Sequence, residues 1–313
     1  MLLVRSNQIC LLLNFEPTTA RFFGKIRSLW PQFVLVNVLN DGFHQYFFWF
    51  ERLKVRTYFL LRRPNTLFVG QAFTDLPQVA STNAHALELL SKSKPAEGTV
   101  ISTYRQTDGR GQIGSKWESA PDKNLSLSVI FYPEFLPARA QFQLNIATSL
   151  AVFDFVKNRL PDRPVSIKWP NDIYVGKLKI AGILLQNALI NTQIRSSVVG
   201  IGININQTTF LTNPPNPTSL SLETNQVFKL DEQIPLLCEF LEQRYLQLKA
   251  GKIVPLQHEY LRQLYRFAMP ANYQRANGES FTGTITGIDE IGRLKLEVEG
   301  KAEVFDLKEI RFL

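Results

Sequence analysis

Apolar and polar positions change their spacing along the chain, and the changes divide it. Over residues 1–63 neither a helical nor an alternating period is sustained. Pro64-Asn65 then reads as a break, and from Thr66 the pattern becomes regular. Residues 67–73 predict a strand. Ser81 is placed to cap a helix over Thr82–Lys92, with Ala86, Leu87 and Leu90 as its apolar stripe. Residues 99–107 predict a strand that runs into a glycine-rich loop. Residues 125–132 alternate and are rich in strand formers. Phe142, Ile146, Leu150, Phe153 and Val156 recur at helical spacing across 138–160. Strands are expected over 165–169, 172–175, 178–190 and 196–205, with a tight turn at Gly176-Lys177. Helices follow over 231–250 and about 255–265, after the stiff connection Asn213-Pro-Pro-Asn-Pro217. Short strands separated by Asn277-Gly278, Gly292 and Gly300 close the chain and suggest a small β-barrel. The fold class expected is α+β: a mixed sheet flanked by helices, then a small C-terminal β domain. The boundaries are an extension at 1–63, a main domain at 64–268 and a small domain at 269–313.

Composition changes this picture in one place. The net charge of +8 suggests a nucleic-acid binder. However, residues 1–63 hold nine Lys/Arg against three acids, and the remaining 250 residues are nearly balanced. A phosphate-backbone binder needs a concentrated basic face, so no nucleic-acid partner is expected. The first 63 residues also carry 13 of the 36 aromatics. They show no helix-turn-helix spacing, which argues against a DNA-binding repressor domain. They are read as an atypical extension or as translation from upstream of the true start. No apolar run is long enough for a membrane helix, and no secretory signal is visible. Cys10 and Cys238 form no CxxC pair and no disulfide framework, which fits a reducing compartment. His44, His85 and His258 have no metal-ligand spacing.

Four segments carry candidate chemistry. In Gly109-Arg110-Gly111-Gln112-Ile113-Gly114, the glycines let successive amides face one point and form an anion nest, and Arg110 adds a cationic fork. The alternative is a surface turn with a solvated arginine. In Lys168-Trp169-Pro170-Asn171-Asp172, Asp172 sits at a strand start, where a carboxylate either holds Mg²⁺ or caps the corner. Lys179 stands amid a largely apolar strand, so it either points to solvent or meets an anion. In Gly200-Ile201-Gly202-Ile203-Asn204, small residues alternate with Ile, which suits close ligand approach or tight packing alike.

These segments occur in this order together with Ser81-Thr82-Asn83, the run from Arg105 to Trp117, and Lys179-Ile180-Ala181-Gly182. In that combination the chain resembles the biotin–protein ligases, also called biotin–[acetyl-CoA-carboxylase] ligases. The likeness covers roughly 66–313 and is to the type without an N-terminal DNA-binding domain. It implies a class II synthetase-like catalytic domain followed by an SH3-like barrel. It also implies ATP and biotin as substrates, Mg²⁺, and a biotinyl-5′-AMP intermediate formed with release of pyrophosphate. The partner implied is a biotin carboxyl carrier domain of acetyl-CoA carboxylase or a related carboxylase. A cytoplasmic location and a homodimer are further expectations, and no membrane partner is.

Carried over residue by residue, Ser81, Thr82, Asn83, Gln106, Arg110, Gly111, Gln112 and Lys179 match biotin contacts. Gly109, Gly111, Gly114, Trp117, Asn171 and Asn204 match the ATP or adenylate side. Arg110, Lys179 and Asp172 would carry the chemistry, with Asp172 also the candidate for Mg²⁺. Position 112 is arginine in some relatives, so Gln112 keeps hydrogen bonding without the charge. Trp117 is equally readable as a core residue holding the loop's exit. A lipoate–protein ligase and a non-catalytic biotin-binding regulator are the rival readings.

Overall fold

The computed structural model describes residues 2–6, 9–13, 34–40, 43–49, 64–112, 115–212 and 216–313, with side chains from residue 64 onward. Two compact units separate at Leu61/Arg62. In the first, β1 (Leu2–Ser6) pairs antiparallel with β2 (Ile9–Leu13), and β3 (Val34–Asn40) with β4 (Phe43–Trp49). No regular period was expected there. The strands are near-continuous runs of aliphatic and aromatic residues, which suit a pleat without showing alternation.

The second unit, Arg62–Leu313, is built on a seven-stranded sheet. Its strands are β5 (Phe73–Asp75), β6 (Val100–Thr103), β7 (Leu125–Phe131), β8 (Val165–Lys168), β9 (Asp172–Val175), β10 (Leu178–Ile190) and β11 (Gln193–Ile203), in the order β5-β6-β7-β11-β10-β9-β8. Only β5 and β6 run parallel, so the sheet is mixed, as expected. On one face lies α1 (Thr82–Lys92), packed on β6, β7 and β11. The other face is covered by α2 (Phe142–Arg159), which packs on β8, β9 and β10, and by α4 (Gln233–Lys249), whose Tyr245 stacks on Phe131 at 4.3 Å. All seven residues of β7 are therefore buried. Its Leu-Ser alternation sends the leucines to the helical core and the serines toward α1.

The strand expected over 67–73 is not formed. The Leu67, Phe68 and Val69 amides all donate to the Glu242 carboxylate of α4, at 2.6, 2.8 and 3.0 Å, and Gly70 turns the chain at φ +79°. A buried carboxylate outcompetes a ladder partner for these donors, and pairing begins only at Phe73. A short helix not expected from sequence, α3 (Leu220–Thr224), is capped by Ser219. After α5 (Ile253–Arg262), the strands β12 (Pro270–Arg275), β13 (Ser280–Ile288), β14 (Leu294–Val298), β15 (Lys301–Phe305) and β16 (Ile310–Phe312) form an antiparallel sheet in the order β15-β14-β13-β12-β16. It docks on the larger sheet through the Trp169 indole, which donates to the Gly292 carbonyl at 2.9 Å. Among the described residues no helix is long and apolar enough to cross a membrane.

Candidate active site

The site rests on one rung of the sheet. Cross-strand partners run Thr103–Ser126–Gly202–Gly182–Asp172–Lys168, from β6 through β7, β11, β10 and β9 to β8. Directly opposed residues share a face, so all six positions look toward the α1 side. The next rung on that face is Ile101–Ser128–Gly200–Leu184. Glycines at 182, 200 and 202 leave a shallow floor, and other groups fill the space. The Asn83 side chain occupies the place of a Cβ at Gly200, and the Trp117 indole does so at Gly202. A Cβ at Gly182 would meet Trp117 at 3.1 Å.

The uncharged end of the floor is set by α1. Ser81 caps the helix, its Oγ accepting from the Ala84 amide at 3.5 Å. Gln106 Oε1 accepts from the Thr82 amide and hydroxyl at 3.0 and 3.3 Å. Ser128 Oγ donates to Asn83 Oδ1 at 2.6 Å and lies 2.8 Å from Thr82 Oγ1, and Asn83 Nδ2 donates to Gln186 Oε1 at 2.9 Å. These rotamers are locked by one another before any ligand arrives.

The charged end is set by a β-bulge. In a regular strand Lys179, three residues from Gly182, would face the opposite side. The β9–β10 register shifts between Lys179 and Ala181, and Lys179 pairs with Tyr174 while Gly182 pairs with Asp172. The extra residue turns Lys179 back onto the floor. Its Nζ lies 2.7 Å from Asp172 Oδ1 and 5.7 Å from the Trp117 ring centroid. Of the two alternatives for Lys179 the second holds: it meets an anion, the Asp172 carboxylate, and still borders the cavity.

The glycine-rich segment folds back on itself. Gly111 N donates to Ser115 O at 2.9 Å, and Trp117 N to Gly109 O at 2.9 Å. Gln112 Nε2 donates to Asn171 Oδ1 at 3.0 Å, and Asn171 Nδ2 to the Ile183 carbonyl at 2.6 Å, so the loop is tethered to the corner before β9. Arg110 is exposed, with Nε 3.8 Å from Asp108 Oδ2.

A cavity of about 150 Å³ collects Ser81, Thr82, Asn83, Gln106, Arg110, Gly111, Gln112, Trp117, Asp172 and Lys179. Three expected positions do not line it. Gly109 lies against the Trp117 carbonyl, where a side chain has no room. Asn171 is buried and holds the loop. Asn204 is buried, with Nδ2 donating to the Thr218 carbonyl at 2.9 Å. Gly114 lies outside the described residues. Sequence reasoning missed Ser126 and Ser128 of β7, for which the Leu-Ser alternation was the available signal, and Ser115 and Lys116 of the loop's exit. Ser126 Oγ and Trp117 Nε1 are buried without a hydrogen-bond partner on this floor. Among the described residues no three His, Cys, Asp or Glu cluster in metal-ligating fashion.

Residues 76–204, which hold most of this floor, match the model of the Biotin/lipoate A/B protein ligase family. Over those residues the chain is similar to biotin/lipoate ligase domains. The chain is similar along most of its length to curated proteins. One is the Biotin--[acetyl-CoA-carboxylase] ligase of Mycobacterium tuberculosis, 29% identical over 229 residues, covering 72% of this chain and 84% of that protein. Another is the Bifunctional ligase/repressor BirA of Bacillus subtilis, 29% identical over 282 residues, covering 82% of each. Among solved structures, the biotin protein ligase from Aquifex aeolicus in complex with biotin and ATP superposes with a TM-score of 0.64. It is 24% identical and covers 78% of this chain and all of that one, so the ligase fold is shared.

Proposed function

We propose that the chain joins biotin to ATP, releases pyrophosphate, and passes the biotinyl group from biotinyl-5′-AMP to a lysine of a biotin carboxyl carrier protein of the acetyl-CoA carboxylase type. The observation that carries this reading is the polarity of the cavity floor. Thr82, Asn83 and Gln106 offer uncharged donors and acceptors at one end, which suits a ureido ring. Lys179 and Arg110 offer cations at the other. The first step brings a carboxylate against a phosphate, two anions that approach only where positive charge is preorganised. Asp172 aims the Lys179 ammonium, and the Trp117 indole screens it from water. No enzyme nucleophile is needed, because the nucleophile is biotin's own carboxylate.

A divalent cation fits these residues as part of the nucleotide. A single carboxylate, already bonded to Lys179, makes no protein cage, but Mg²⁺ typically takes one or two carboxylates together with substrate phosphates. Asp172 would hold it, and it would offset triphosphate charge. The chemistry belongs to 64–268, with 269–313 as an SH3-like barrel, a reading supported by the meander of β12 to β15. A homodimer and a cytoplasmic setting complete the proposal.

The test is release of pyrophosphate from ATP with biotin, then labelling of a carrier domain that depends on its target lysine. Lys179→Ala and Arg110→Ala are each expected to slow adenylation at least 100-fold while the melting temperature is retained. Lipoate assayed beside biotin separates the two branches of the family, and lipoate as the better substrate would overturn the assignment. Biotin binding without pyrophosphate release would identify a regulator instead.

A further inference from the structure

β11 pairs with β10 only from Ala181 onward, so beyond that point the β11 side of β10 needs another partner. Residues 216–218 supply it. The Lys179 amide donates to the Asn216 carbonyl at 2.6 Å, the Thr218 amide donates to the Lys179 carbonyl at 2.9 Å, and Pro217 bridges Lys179 in parallel fashion. On its other side Lys179 is paired with Tyr174 of β9. A bulge disrupts the ladder around its extra residue, and here a segment from beyond β11 makes good the loss. The residue that the bulge turns onto the floor is therefore gripped at its main chain from both sides.

That segment is itself held. Thr218 is buried, its carbonyl accepts from Asn204 Nδ2 at 2.9 Å, and its hydroxyl donates to Glu223 Oε1 at 2.7 Å. The Asn204 amide donates to the Ile180 carbonyl at 2.9 Å, so one asparagine joins Thr218 to the residue after Lys179. Glu223 belongs to α3, and its second oxygen lies 3.6 Å from Arg163 Nε. Arg163 also donates to the Glu223 carbonyl at 3.0 Å. Thr218, Glu223 and Arg163 lie outside the cavity lining, so they reach the chemistry only through what they hold. We propose that Thr218, braced by Glu223, is a positioning residue for adenylation. It fixes the bulged main chain at Lys179, and with it the direction in which the ammonium meets the carboxylate and the α-phosphate. A catalytic group misplaced by about 1 Å can cost about 100-fold in rate. The inference rests on the ligase reading and gives α3 and the segment before it a part in that reaction.

The experiment compares the full chain with Thr218→Val, which removes the hydroxyl, and with Glu223→Gln, which removes the charge that strengthens its bond. Thr218→Ser keeps the hydroxyl and is the control. Expected for Val and Gln is a kcat for pyrophosphate release lowered about tenfold per folded molecule, with the KM values for biotin and ATP changed less than about threefold. Ser should restore most of the loss. On a Lys179→Ala background, Val and Gln should add less than about twofold, because a residue that acts through Lys179 has nothing left to position. Amide hydrogen exchange at Lys179 should quicken about tenfold or more in both variants, while exchange in β7 stays as in the native chain. Rates within twofold of native for Val and Gln overturn the proposal. So does a tenfold loss that persists without the Lys179 side chain, or unchanged exchange at Lys179. Should Val prevent folding, Glu223→Gln decides by the same readings. If the native chain releases no pyrophosphate from ATP with biotin, the ligase reading fails, and exchange at Lys179 still decides whether Thr218 holds it.

Discussion

Gly202 shows how little space separates a working floor from a blocked one. The Trp117 indole occupies the position where its Cβ would be. Gly202→Ala should push the indole off the sheet and raise the KM for biotin or ATP by an order of magnitude. Gly287→Ala, where nothing lies within 4 Å, should leave both unchanged. Steady-state kinetics on the two variants check this. Lys168 makes a residue-scale prediction about stability. Its folded pKa is depressed, chiefly by burial, so whatever stability its titration contributes is present above the unfolded value of about 10.4 and is lost as pH falls. At pH 7 the charged form therefore opposes folding. Lys168→Met should be as stable as the native chain or more so at pH 7, with the difference shrinking above pH 10. Denaturant melts at the two pH values measure it.

At the scale of elements, two local irregularities build the site. The bulge between Lys179 and Ala181 re-phases the start of β10, and so it converts a lysine that alternation would send to the helical face into the cationic end of the cavity. The Glu242 carboxylate collects three consecutive amides from residues 67–69 and so replaces a strand with a turn. Glu242→Ala leaves all three amides without their acceptor at once and should cost about 3 kcal/mol, read as a fall in urea midpoint. Adenylation per folded molecule should be unchanged, since this turn lies away from the floor.

Across the whole molecule, Arg244 of α4 ties α2 to α5. Its guanidinium bonds Asp154 of α2 at 2.7 and 3.1 Å and Glu259 of α5 at 2.7 and 2.6 Å, with only 10% of its side chain exposed. Arg244→Met leaves two carboxylates facing each other without a cation, and breaking such a buried set costs about 3–5 kcal/mol. Chemical denaturation should show that loss. A change under 1 kcal/mol would mean that solvent screens the triad.

The order of elements was legible in the sequence because α1, α2 and β7 to β11 each keep one period long enough to read. The chemistry was legible because Ser81-Thr82-Asn83, the loop around Arg110, and the Asp172 and Lys179 segments are short local motifs. Tertiary structure alone decided which of their side chains meet. Asn204 and Asn171 carry suitable amides, but each is spent on backbone carbonyls of a neighbouring segment, which no local pattern reveals. Lys179 faces the cavity because of a register shift between two strands, and register is a property of the pair. Ser126 and Asp172 belong to one site because a rung of four strands runs from one to the other. Their distance along the chain carries no trace of that neighbourhood. Sequence periodicity records which face a residue takes within its own element, and only packing of elements records what stands opposite.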